Sequence, residues 1–238
     1  MEREDLYGIV EDERGFASLS FPTLMRKVYL WMTLALVITG VTAYGVAHSE
    51  QLLMAIYSSK AVFFGLIIAE LALVMGISGA INRLSLATAT LLFALYSVVN
   101  GVTMASIFIV YSQAIITKVF LITAGTFGTM ALVGYTTKTD LTSMGKLLFM
   151  ALIGLIIATV VNIFVASESF DLIISYVGVL VFVGLTAYDT QKIKQLMQMC
   201  PDAGEQAQKL ALLGALTLYL DFINLFLYLL RIFGRKSD

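Results

Sequence analysis

Seven apolar stretches, most of them close to twenty residues long, constrain this chain more than any other feature. Backbone placed in hydrocarbon must satisfy its own N–H and C=O groups, so each stretch is expected to be a helix. They run from about Val28 to Ala47, Ala61 to Ile81, Leu86 to Tyr111, Val119 to Tyr135, Leu147 to Ala166, Leu172 to Tyr188 and Leu210 to Phe233. The fourth is short and rich in Gly and Thr, which permit close helix packing. A polar stretch, residues 191–209, contains Pro201 and separates the last two spans. Its beginning, Lys192-Ile193-Lys194-Gln195-Leu196-Met197, is fit to continue the sixth helix out of the membrane. The expected fold class is therefore all-α, a polytopic membrane protein with seven transmembrane helices. Ahead of it, residues 1 to about 20 carry Glu2, Glu4, Asp5 and Glu13 and are expected to form a flexible acidic cytoplasmic arm, leaving 21–238 as the transmembrane domain. The arm is the opposite of a signal peptide's basic start.

Composition narrows the function classes. Hydrophobic residues make up 59% and charged residues 13%, against roughly 25% charged in soluble domains. A net charge of -1 gives no basic patch for nucleic acid. With Cys200 and His48 each alone of their kind, an intrachain disulfide and a Cys/His zinc site are both excluded. A Ser-His-Asp triad would have to use His48, at a membrane edge with no matching motif. No enzyme and no cofactor is expected.

Orientation follows from Lys and Arg near span ends. A cytoplasmic N-terminus puts Arg26, Lys27, Arg83, Lys138, Lys146, Lys192, Lys194 and Lys209 inside, and only Lys60 and Lys118 in outer loops. Arg231, Arg235 and Lys236 run against this, so the last segment either crosses fully or re-enters. Early spans dominate orientation, which favours full crossing.

Ionisable groups at membrane depth mark pathways, relays or ion sites. Asp189 closes the sixth span. Asp221 lies about 11 residues, roughly 16 Å, into the seventh. Glu70 is near the middle of the second span, and Arg83 follows it. Asp221 and Asn224 share a helix face. Two carboxylates in contact would share a proton and titrate as one unit. Such a pair could hold a proton, clamp a hard cation such as Ca²⁺, or pair with Arg83. Plainer roles stand beside these: a helix cap for Asp189, a structural ion pair for Asp221, snorkelling for Arg83, and interhelical hydrogen bonds for Glu70, Asn100, Asn162 and Asn224.

The run Gly184-Leu185-Thr186-Ala187-Tyr188-Asp189-Thr190-Gln191 resembles the signature of the Bax inhibitor-1 family. Leu218-Tyr219-Leu220-Asp221-Phe222-Ile223-Asn224-Leu225-Phe226 is similar to that family's last span. Ser97-Val98-Val99-Asn100-Gly101 and Gly134-Tyr135-Thr136-Thr137-Lys138-Thr139-Asp140-Leu141 add two further patches. The resemblance covers nearly everything after residue 20. It implies six helices around a central last one, and a pH-sensitive Ca²⁺ leak. It further implies that Asp189 and Asp221 form a hydrogen-bonded pair, sensing pH and binding the ion, with Arg83 as a latch and Glu70 as a candidate pore acid.

Two other functions compete. An intramembrane aspartyl protease would use paired aspartates, but Leu218-Tyr219-Leu220-Asp221 lacks the Gly-x-Gly-Asp that this class carries, and no Pro-Ala-Leu motif occurs. A non-transporting modulator would bind another membrane protein, such as a protease or death regulator, through the acidic arm. Lipid, Ca²⁺ and protons are the expected partners, with such a membrane protein as a further one.

Overall fold

The structure is a computed structural model that describes the backbone of residues 2–234 and the side chains of 21–234. The side chains of the acidic arm lie outside the described residues, and its backbone from Glu2 is continuous with the first helix. The chain is an all-α polytopic membrane protein. Among the described residues the helices are α1 (Glu2–Ala47), α2 (Glu50–Tyr57), α3 (Lys60–Ala80), α4 (Leu86–Met104), α5 (Ile107–Val110), α6 (Gln113–Thr136), α7 (Thr142–Val165), α8 (Glu168–Gln198) and α9 (Glu205–Gly234). Seven segments are long and apolar enough to span: 21–47, α3, 86–110, α6, α7, α8 and α9.

Serine punctuates the chain. The side chains of Ser49, Ser59, Ser85 and Ser112 each accept a hydrogen bond from the amide three residues on, capping α2, α3, α4 and α6. At the far end of α7, Ala166 turns left-handed with φ 51°, and the Asn162 side chain accepts from Ser167 N at 3.2 Å. Asn162 is thus a local cap and not an interhelical tie. The α9 helix is unbroken from Glu205 to Gly234, which disposes of a re-entrant last segment. It is also the most buried span: 67% of its apolar window is buried, against 6% for α3 and for α7.

The chain divides into two compact units. The first comprises residues 1–109 and 193–216. Here α1 packs on α4, and the Thr39 hydroxyl donates to Ser97 O at 3.0 Å. The third span is not one helix as expected but breaks at Ala105-Ser106. Non-helical backbone is tolerated at membrane depth only where its polar groups find partners. Tyr57 on α2 supplies them: its hydroxyl reaches Val102 O at 2.9 Å and Thr103 O at 3.0 Å, and accepts from Ser106 N at 2.9 Å. The second unit comprises 110–192 and 217–238. It packs α6, α7, the body of α8 and the last half of α9. The Phe222 ring meets Phe120 and Phe127 edge-on at 5.5 and 5.4 Å. At the far end, Arg231 pairs with Asp171 at 3.7 Å and lies over the Tyr228 ring.

Candidate functional site

Two transmembrane carboxylates meet in the second unit. Asp189 on α8 and Asp221 on α9 are hydrogen-bonded to each other through their side chains. A hydrogen bond between two carboxyls requires a proton on one of them. Asp221 is buried at 5% exposure, and its Oδ2 has no partner. Asp189 is half-buried.

The helices are longer than hydropathy indicates, which alters their depths. Asp189 lies nine residues before the end of α8 and Asp221 sixteen after the start of α9, or roughly 14 Å and 24 Å. The pair forms despite that difference, because the six residues 199–204 can extend through about 20 Å.

The segment around Asp189 is fixed from three directions. On α6, Gly134 lies against the Ala187 backbone; a Cβ there would stand 2.1 Å from Ala187 O. On α7, Gly145 seats the Tyr188 ring, which a Cβ would meet at 2.3 Å. The backbone contact at Gly134 admits only glycine, and at Gly145 a Cβ would displace the Tyr188 ring. Gln191, itself buried, donates from Nε2 to Thr139 O at 2.8 Å and accepts at Oε1 from Leu141 N at 2.9 Å. It fastens α8 to the loop 137–141. Within that loop the Thr142 hydroxyl and then the Thr142 amide hold the Asp140 carboxyl below the usual carboxylate range. Sequence reasoning missed Gly134, Gly145, Tyr188 and Gln191 as site residues. Part of the signal was present, because the patches 134–141 and 184–191 carry both ends of the Gly134–Ala187 and Gln191–Thr139/Leu141 contacts, whereas Gly145 lies outside both.

A cavity of about 920 Å³ opens beside the pair, between α7, α8 and α9. Asp189, Asp221 and Asn224 line it with Thr217, and Lys146 and Lys192 stand on its rim, both exposed. Asn224 shares the cavity with Asp221 but donates to Leu220 O of its own helix at 2.8 Å.

The other expected site residues belong to the first unit. The Glu70 carboxylate accepts from Thr103 Oγ1 at 2.5 Å and from Asn100 Nδ2 at 3.4 Å. Glu70 and Asn100 thus form an interhelical hydrogen-bond group. Arg83 is exposed in the turn 81–85. That turn is held by the start of α9: Lys209 Nζ donates to Leu84 O at 3.1 Å, Glu205 Oε1 accepts from Leu86 N at 3.1 Å, and Gln206 Nε2 donates to Asn82 Oδ1 at 2.8 Å. Burial pushes the Cys200 thiol up, so it is no reactive thiolate. Among the described residues no three His, Cys, Asp or Glu side chains cluster as a metal cage.

Residues 22–238 match the family described as inhibitor of apoptosis-promoting Bax1. The inner membrane protein YbhL of Escherichia coli K12 is 50% identical over 215 residues, covering 90% of this chain and 92% of that protein. A protein of Borreliella burgdorferi is 47% identical over 90% of this chain and 92% of its own length. A protein of Deinococcus radiodurans is 43% identical, over 91% of each. The matched region begins just beyond the acidic arm.

Proposed function

The chain belongs to the family of the inhibitor of apoptosis-promoting Bax1, and from that premise we propose that it is a pH-sensitive calcium leak of the membrane. The observation that carries this reading is the hydrogen-bonded pair Asp189–Asp221 inside membrane-spanning helices. A buried carboxyl with an unpartnered oxygen is costly. It is retained where a proton or cation comes and goes. Loss of the shared proton leaves two negative charges in one place, which must be met by a cation. Ca²⁺ supplies that charge when it passes. Arg83 supplies it in the resting state, as a latch, and Glu70 acts as a pore acid along the route. Each protonation state therefore favours a different occupant of the site. The N-terminus is cytoplasmic in this reading, since eight Lys and Arg near span ends then lie inside, against two in outer loops and three at the C-terminal end. No catalytic step is involved.

The test is Ca²⁺ flux into proteoliposomes followed from acid to neutral pH. Asp189→Asn and Asp221→Asn should each flatten the pH profile. A profile unchanged in both variants would sink the sensor role.

A further inference from the structure

The cavity beside the acid pair is larger and less polar than a bare ion needs. Calcium takes about six to eight oxygen ligands, and here the acids come as a pair with no third His, Cys, Asp or Glu among the described residues close enough to complete a cage. Most of the wall is apolar: Phe149, Leu152 and Ile156 from α7, Phe182 and Leu185 from α8, Leu220 from α9. The volume, about 920 Å³, falls in the range of small-molecule sites, about 300–1,000 Å³. The polar feature at depth is anionic. Asp221, 5% exposed, keeps Oδ2 without a partner, and Asp189 beside it is half-buried. The charged groups facing the pair from this cavity are Lys146 and Lys192. Both are exposed on the rim, and the Lys192 ammonium stands over the Tyr188 ring, 5.8 Å from its centroid. Solvent screens them, whereas the acids lie deeper.

We propose that this cavity binds amphiphilic ammonium compounds, with the protonated amine on the Asp189–Asp221 pair and the apolar body against Phe149, Leu152, Ile156 and Phe182. A primary ammonium has three donors and no acceptor, which suits two carboxyls that otherwise have mainly each other. Its hydrocarbon body lies against an apolar wall, of which Phe149 and Ile156 are exposed on α7. The inference uses the same acid pair as the leak but does not require that calcium passes.

The experiment compares adamantylammonium with adamantanol, its neutral counterpart of similar shape, by equilibrium dialysis against the full chain in phosphatidylcholine nanodiscs. The ammonium should bind at least about tenfold more tightly, a factor that corresponds to about 1.4 kcal/mol. Asp221→Asn should bring it down to the level of the alcohol. Leu152→Trp, which fills the wall and leaves the pair intact, should weaken both ligands. Equal binding of ammonium and alcohol by the unmodified protein would mean a cavity for lipid chains and would overturn the proposal, whether or not the variants fold. Full ammonium affinity in Asp221→Asn would overturn it too. Calcium flux on the same protein separates the two ideas. Flux without ammonium preference removes this inference alone, and preference without flux removes the leak alone.

Discussion

Glu70 and Asp221 are both carboxylates inside apolar helices, yet their surroundings differ in kind. Glu70 accepts hydrogen bonds from Thr103 and Asn100 on the neighbouring α4. Its charge is met by donors that belong to the fold. Asp221 has a second acid as its partner and one oxygen with none. A satisfied polar group ties helices together. An unsatisfied one, held in place by glycine-sized clearances, is available to something that arrives. The first unit thus uses its acid as an internal tie, and the second keeps its pair poised beside a cavity.

The comparison can be broken at its most rigid point. Gly134→Val puts a branched side chain where a Cβ is already 2.1 Å from Ala187 O, whereas Gly128 has open space around it. Overpacking should cost about 3 kcal/mol at Gly134, and Gly128→Val should cost much less. Unfolding followed by helical circular dichroism in mild detergent checks both. Equal losses would mean that α6 does not clamp α8 where the acids sit.

A sharper test removes one polar group from each site. Thr103→Val takes away the shorter of Glu70's two bonds and should cost about 2 kcal/mol. Asp221→Asn gives the pair an N–H donor, so stability should hold or rise by up to about 1 kcal/mol. The same unfolding curves decide. A large loss in Asp221→Asn, matching Thr103→Val, would make the aspartate pair a structural tie like Glu70.

The smallest effect falls on the loop that Gln191 fastens. The Thr142 hydroxyl and amide lower the Asp140 carboxyl below its ordinary value in the folded chain. The bond is therefore at full strength above the unfolded carboxylate range and is lost as pH falls through the folded value, below about pH 4. Protection of the Thr142 amide against hydrogen exchange, taken relative to its intrinsic rate at each pH, should fall over that acid window, and Asp140→Asn should remove the dependence.

Much of this architecture is legible in the chain. Length and apolarity single out all seven spans, and Asp189, Asp221 and Glu70 stand out because charge is rare there. The continuation of the sixth helix through Lys192–Met197 is legible too, and α8 runs on to Gln198; the start of α9 at Glu205 is not, because it lies in charged residues that a helix accepts once it leaves hydrocarbon. The break at Ala105-Ser106 carries no proline or glycine to announce it. It exists because Tyr57, almost fifty residues earlier, satisfies the freed backbone. Depth counted along single helices puts Asp189 and Asp221 at different levels, because the offset taken up by the loop between them leaves no pattern in sequence. Gln191 looks like one more polar residue until its partners at Thr139 and Leu141 are known.

The length of α8 has a consequence for the membrane itself. Its 31 residues extend about 46 Å, well beyond a hydrocarbon layer of about 30 Å. Asp189 stands about 32 Å along the helix from Glu168, about the thickness of that layer. A few ångströms of bilayer thickness, set by the acyl chains around the protein, then change how much of the helix around Asp189 lies in hydrocarbon.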